Sequence, residues 1–225
     1  METKLIQDII QWDVVHWSKA LPFWEKFIPK QGAGKIAAAF GEREGGISLW
    51  LAQKGFTVNC SDYHDNLSLA KALHQEYNVD DLIQYSQQDI SQTTFESNYF
   101  DVVVFKSVLG ALGDKKQQEK AIKELHRILK PGGVLIFAEN LQATKTHQYL
   151  RKKFTSWGDR WRYIKPNEIK EMFSCFSECN FSYNGFIATF GRNENQRKLL
   201  SKIEYPFLKL IPNSWKYILF GVCMK

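Results

Sequence analysis

From residue 35 onward, short apolar runs alternate with segments in which apolar positions recur at helical spacing, the pattern of βαβ units that build a parallel sheet. The runs predict strands at Lys35 to Phe40, Phe56 to Ser61, Leu82 to Ser86, Phe100 to Phe105 and Val134 to Ala138. The fourth reads Phe-Asp-Val-Val-Val-Phe, as expected of a strand covered on both faces. Context carries the first, since Ala37-Ala38-Ala39 has poor strand propensity but small side chains that let a helix or ligand come close. Helical patterns fall at Gly46 to Lys54, Asn66 to Tyr77 and Lys115 to Leu129. The last stops at Lys130-Pro131-Gly132-Gly133, because proline cannot continue a helix and glycine supplies positive φ.

Beyond residue 140 the pattern changes. A basic amphipathic stretch at Thr144 to Phe154 and a short helix from Pro166 precede two strand-like runs, Ser182 to Phe190 and Trp215 to Met224, which suit a closing antiparallel pair. Ahead of the first strand, residues 1–28 read as one or two amphipathic helices carrying Trp12, Val15, Trp17, Phe23, Trp24 and Phe27. The expected organisation is a single domain over 1–225: an N-terminal helical cap (1–30), a core (35–140), a basic aromatic lid (141–175) and closing strands (176–225).

Composition narrows the class. The chain has 225 residues, 44% of them hydrophobic, enough for one substantial core. No run approaches the roughly 20 apolar residues of a membrane span, and the start lacks a signal-peptide apolar region, so a cytoplasmic location is expected. Cys60, Cys175, Cys179 and Cys223 form no CxxC pair and have no His cluster nearby, so buried or free thiols are expected, with no disulfide framework and no metal. The net charge of +6 is uneven: residues 141–225 carry 15 Lys and Arg against 6 Asp and Glu, whereas residues 1–140 are slightly acidic. Such a basic face suits a phosphorylated metabolite, a nucleic acid or an anionic membrane surface, or is simply solvated.

Candidate chemistry starts at Phe40-Gly41-Glu42-Arg43-Glu44-Gly45-Gly46, a glycine-rich turn between a strand and a helix, with Asp62 at the end of the next strand. Glycine admits a ligand to the backbone, a helix start offers free N–H groups, and an acid at the second strand tip accepts hydrogen bonds from ribose hydroxyls. Downstream follow Ser61-Asp62-Tyr63, Gln88-Asp89-Ile90, Phe100-Asp101-Val102-Val103 and Leu129-Lys130-Pro131-Gly132-Gly133. In this order, over residues 35–140, the chain resembles the class I S-adenosylmethionine-dependent methyltransferases, in particular the small-molecule branch with type 11 and type 25 domains.

The resemblance implies an α/β Rossmann-like sandwich, a mostly parallel seven-stranded sheet with helices on both faces and an antiparallel C-terminal pair. It implies S-adenosylmethionine as cofactor, Asp62 as ribose ligand and Asp89 as adenine contact, with Gly41, Glu42, Arg43, Gly45, Tyr63, Ile90 and Lys106 completing the cofactor site. The chain departs from the family in the glycine turn, where Arg43 stands on the middle glycine and Ala39 on the acid that usually ends the first strand. The methionine amino group then needs another partner, such as Glu42, Glu44 or a carbonyl, and Arg43 is a candidate for its carboxylate.

Ligands of α/β sheets lie beyond the carboxyl ends of the strands, which places Lys106, Ser107, Val108, Glu139 and Asn140 near the transferred methyl. Glu139, His16 and His147 are the candidate general bases for a hydroxyl acceptor, whereas a carboxylate, thiolate or neutral amine needs none. Two aromatic clusters, Trp12, His16 and Trp17, and Trp157, Arg160, Trp161, Arg162 and Tyr163, are candidate covers for a small or medium-sized acceptor that is anionic or lipid- or sugar-linked. No DNA partner is expected, because Lys106-Ser107-Val108 stands where base-amino methyltransferases carry Asn/Asp-Pro-Pro-Tyr/Phe. Peripheral membrane contact and a monomer or homodimer are compatible with the sequence. Two rivals stay open: a non-catalytic cofactor-binding scaffold on the same fold, and an NAD(P)-dependent oxidoreductase, since Gly41-x-Arg43-x-x-Gly46 keeps two of the three dinucleotide-motif glycines.

Overall fold

The computed structural model describes residues 3–154 and 160–225. Seven strands, β1 (Ile36–Phe40), β2 (Thr57–Asp62), β3 (Ile83–Gln87), β4 (Phe100–Lys106), β5 (Leu129–Asn140), β6 (Glu178–Asn184) and β7 (Ile218–Met224), form one sheet in the order β3-β2-β1-β4-β5-β7-β6. The first five pair in parallel, and β7 runs antiparallel to both β5 and β6. The helices are α1 (Thr3–Ile10), α2 (Val14–Trp17), α3 (Ala20–Trp24), α4 (Gly46–Gln53), α5 (Ser68–Glu76), α6 (Lys115–Ile128), α7 (Lys145–Phe154), α8 (Ile169–Met172) and α9 (Glu194–Glu204). None is long and apolar enough to cross a membrane among the described residues.

Alternation along each strand divides the core in two. Ala37, Ala39, Val58, Val102, Val104 and Ile136 face one layer with Trp17, Trp24 and Trp50, while Ala38, Phe40, Val103, Phe105, Leu135 and Phe137 face α6 and α8. The alanines of β1 thus leave room for indoles: Trp24 and Trp50 meet at 5.8 Å between centroids. The Phe-Asp acid has a structural use. Asp101 accepts hydrogen bonds from Ile36 N (3.0 Å) and from the amines of Lys35 (3.2 Å) and Lys130 (2.8 Å), tying the starts of β1, β4 and β5 together. Burial opposes its ionisation, but these donors outweigh it and hold the carboxyl below its ordinary value.

Several expectations change beyond the core. The N-terminal segment makes three helices, interrupted at Gln11 (φ 72°) and Asp13 (φ 46°). Leu129–Gly133 belongs to β5 itself, with Gly132 at φ 75°. The run expected at Ser182 to Phe190 is strand only as far as Asn184. After Gly185 (φ 71°) the N–H groups of Phe186, Ile187 and Ala188 turn onto the Glu204 carboxylate at 2.6–3.1 Å, so no ladder satisfies them. Trp215 lies in a 3-10 turn after Pro212, and β7 starts at Ile218. Helix α9 was not expected, although Asn193 caps it by accepting from Gln196 N at 2.9 Å, an Asn-x-x-Gln start visible in the chain. Cys179 and Cys223 are a disulfide, not free thiols: the β6–β7 register sets them directly opposite each other. Cys60 and Cys175 are free, as expected.

Candidate active site

The strand order reverses between β1 and β4, and a cavity of about 800 Å³ opens beyond their carboxyl ends. Its wall takes Phe40, Gly41, Arg43 and Glu44 from the turn after β1, Asp62, Tyr63 and His64 after β2, and Gln88, Asp89, Ile90 and Ser91 after β3. Lys106, Ser107 and Val108 close it after β4. Gly41 has φ 73°, and a Cβ there would stand 2.4 Å from Val108 Cγ2, so only glycine lets these two loops meet. Asp62 Oδ1 accepts from His64 N at 3.0 Å and Asp89 Oδ1 from Ser91 N at 2.8 Å, which fixes both carboxylates at the rim.

Two turn residues point elsewhere. Glu42 is buried beneath the turn, where its Oε2 accepts from Ser48 N at 2.8 Å; it supports the start of α4 and does not line the cavity. Burial raises its pKa. Gly45, in the left-handed region, is required by packing, since a Cβ would lie 2.6 Å from His74 Nε2. That nitrogen donates to Gly45 O (2.8 Å), and Tyr85 OH donates to His74 Nδ1 (2.8 Å).

Lys106 is set apart by its surroundings. Its amine lies 5.2 Å from the Trp12 ring centre and 5.6 Å from that of Trp17, and burial pushes its pKa down to about 8 against the pull of Glu42, Glu44 and Glu139. Glu139 is wholly buried and lines neither this cavity nor its neighbour. Its Oε2 accepts from Val108 N (2.9 Å) and Leu109 N (2.8 Å) and its Oε1 from Asn140 N (2.8 Å). Burial raises its pKa to about 7, with these backbone donors opposing. It therefore shapes the turn after β4.

A second cavity of about 690 Å³ adjoins the first along Trp12, Arg43, Ser107 and Trp161. Arg43, Arg151, Arg192 and Arg197 line it together with Phe154, Tyr163, Phe190 and Tyr217. Arg151 donates to Leu141 O (2.7 Å) and lies 4.2 Å from the Tyr163 ring centre. At the junction of the cavities, Asn140 donates to Ser107 Oγ at 2.8 Å. His147 also faces this space, but both ring nitrogens are engaged. Nε2 donates to Phe186 O, and Nδ1 pairs with Thr144 Oγ1, each at 2.7 Å. Burial lowers its pKa, so the ring is neutral.

His16 lies outside both cavities. It is wholly buried, with Nδ1 3.1 Å from Asp13 Oδ1 and Nε2 2.8 Å from Glu204 Oε1. Tyr217 OH donates to the other Asp13 oxygen at 2.6 Å. Burial works against the imidazolium, but the two carboxylates prevail: the His16 pKa is raised and that of Glu204 lowered. This cluster clamps the N-terminal helices to the C-terminal segment.

Both aromatic clusters send one indole to the cavities, Trp12 and Trp161. Trp161 packs on Gly110, where a Cβ would stand 1.7 Å from its Nε1. Arg162, next to it, pairs with Glu168 at 2.7 Å and with Gln118, holding this segment on α6. Trp157 lies outside the described residues. Sequence reasoning missed Ser91, Ala111, Leu112 and Gln117 as wall residues, for which no motif exists.

The comparisons with known proteins agree with this architecture. Residues 39–137 match the family model described as a methyltransferase domain. YqeM of Bacillus subtilis, named as a methyltransferase, is 35% identical over 124 residues, covering 54% of this chain and 46% of YqeM. The ubiquinone/menaquinone biosynthesis C-methyltransferase UbiE of Vibrio cholerae is 24% identical over 123 residues, covering 52% of this chain and 46% of UbiE. The chain thus spans about half the length of these curated relatives. Among solved structures, a SAM-dependent methyltransferase of Methanosarcina mazei superposes with a TM-score of 0.66 at 18% identity, over 91% of this chain and 97% of its own. Haemonchus contortus phosphoethanolamine N-methyltransferase 2 gives 0.64 at 16% identity, over 93% of this chain and 52% of its own. Residues 39–137 thus match a methyltransferase domain, and the strand order of the whole sheet is that of the solved methyltransferases on which the chain superposes.

Proposed function

We propose that this chain binds S-adenosylmethionine in the first cavity and transfers its methyl group to a small or medium-sized anionic acceptor held in the second. The observation that carries this reading is the meeting of Gly41, Asp62 and Asp89-Ile90, the residues that match the family pattern, on one wall at the switch point of the sheet. The residues fit the group: the Gly41 turn keeps a Cβ out of the cavity, and two carboxylates stand at its rim. When bound, S-adenosylmethionine supplies an activated methyl on a sulfonium for in-line displacement.

In this reading Asp62 accepts hydrogen bonds from the ribose hydroxyls, Asp89 and Ile90 meet the adenine, and Tyr63 flanks it. Lys106 and Arg43 offer cations to the carboxylate end, and Glu44, not Glu42, is the acid available to the amino group. Trp12 and Trp161 exclude water where the cavities join. Glu139 sets the Val108–Leu109 turn as a positioning residue. The gathering of four arginines around the second cavity favours an anionic acceptor. His147 and His16 have no free ring nitrogen and Glu139 faces neither cavity, so the reading favours a methylated atom that needs no protein base: a carboxylate oxygen, a thiolate or a neutral amine.

Calorimetric titration of the purified chain with S-adenosylmethionine, S-adenosylhomocysteine, NAD and NADP tests this. Micromolar binding of the first two, weakened roughly 10- to 100-fold in Asp62→Ala, is the expected result. Binding of NAD or NADP alone would replace the reading by a dehydrogenase. Cofactor binding without turnover across a panel of carboxylate, thiol and amine acceptors would point to a scaffold.

A further inference from the structure

The exposed apolar surface is unevenly placed. Of the large apolar side chains exposed among the described residues, Leu199, Ile203, Tyr205, Phe207, Leu210 and Trp215 crowd into seventeen consecutive positions, with Leu210 81% and Tyr205 72% exposed. Single exposed leucines are ordinary, but such a concentration marks a contact surface. Leu199 and Ile203 stand one turn apart on the outer side of α9, while Ser201 and Glu204 are buried.

Charge says what covers it. Lys198 and Lys202, each one residue before an exposed apolar position, and Lys209, beside Leu210, are all exposed. No carboxylate pairs with these three among the described residues. Both acids of residues 194–216 are used internally. Glu194 accepts from Asp13 N (2.8 Å) and Val14 N (3.0 Å) and pairs with Arg197, and Glu204 is buried against His16. The surface is therefore apolar, aromatic and positive, with its negative charges turned inward. A second copy docking by two-fold symmetry would bring two copies of this positive patch together with no unpaired carboxylate of residues 194–216 to offset the charge. Lysines flanking leucine, isoleucine and aromatic side chains are the signature of a segment lying in the headgroup layer of an anionic bilayer.

We propose that α9 and the chain following it to Trp215 dock this protein on an anionic lipid surface. Arg197 of α9 and the neighbouring Arg192 and Phe190 line the second cavity, so docking sets that cavity beside the headgroups. The inference stands on the surface alone and does not require the methyltransferase reading.

Flotation of the full chain with vesicles of phosphatidylcholine alone or mixed with phosphatidylglycerol tests it, with added salt as a further arm. The expected result is binding to the mixed vesicles, weakened by salt and absent with phosphatidylcholine alone. Each lysine removed weakens it about five-fold, so Lys198→Glu with Lys202→Glu lowers it by at least about 25-fold. Leu210→Glu, at a fully accessible position, weakens it without changing the melting temperature or the cofactor titration. Failure of the folded wild-type chain to bind the mixed vesicles, or equal binding by these variants, would overturn the proposal. So would a wild-type dimer, seen by sedimentation velocity, that Leu210→Glu dissociates.

Discussion

The two ends of the chain and its middle solve the same problem, holding polar groups in a folded protein, in opposite ways. In residues 36–140, Asp62 and Asp89 stand at or just past strand ends and face an open cavity, each accepting from a backbone N–H two residues on. In the flanking segments Asp13, His16 and Glu204 are buried, with the imidazole in ion-pair contact with both carboxylates across nearly the whole sequence. Substitution at the first set should therefore alter binding and spare stability, and substitution at the second should do the reverse. The physical reason is desolvation: a rim carboxylate that loses its ligand returns to water, whereas a buried ion that loses its partner has nowhere to go.

The sharpest way to break this contrast is His16→Ala, which strands two buried carboxylates. It is expected to cost about 3–5 kcal/mol in chemical denaturation while leaving cofactor affinity in the remaining folded protein unchanged. Next in size is Asp62→Ala, which removes hydrogen bonds to a charged acceptor. Cofactor affinity should fall roughly 10- to 100-fold by calorimetry, with no loss of melting temperature. An equal fall in stability would erase the distinction.

Arg192→Ala probes the boundary between the two regions, because Arg192 lines the second cavity. The KM for an anionic acceptor should rise about ten-fold, as expected for one lost charge-assisted bond, with the cofactor Kd unchanged. The smallest effect is in pH. His16 has a raised pKa, so its contribution is full below its ordinary 6.5 and is lost as pH rises through its folded value. Glu204 has a lowered pKa, so its contribution is full above its ordinary 4.5 and is lost as pH falls through its folded value. The clamp is thus strongest between pH 4.5 and 6.5, and thermal unfolding of wild type against His16→Gln should differ most there.

The wall of the first cavity was legible because its signals are local. Gly41, Asp62 and Asp89 each stand at or just past the carboxyl end of a strand, and strands of a parallel sheet deliver those ends to a common edge. Even here side-chain direction was not readable, and Glu42 and Arg43 are adjacent yet only the second faces the cavity. The second cavity was legible only as composition. Arginines and aromatics in the last third were evident, but the joining of Arg43, Arg151, Arg192 and Arg197 around one space depends on the path of three separate segments. His16 looked like a base because imidazole is the usual one at neutral pH. Its partner Glu204 lies 188 positions away, and nothing short of the fold relates them.

By itself, then, the sequence determined the alternation of strands and helices, the mostly parallel sheet and the strand-tip acids, because hydrophobic periodicity and turn chemistry act over a few residues. Strand register and chain path settled that Cys179 and Cys223 are bonded, that Glu139 and His16 are held within the framework, and that four arginines from separate segments share one cavity. Those outcomes follow from strand register and from long-range burial, where the cost of leaving a charge or backbone N–H unpaired selects partners without regard to their distance along the chain.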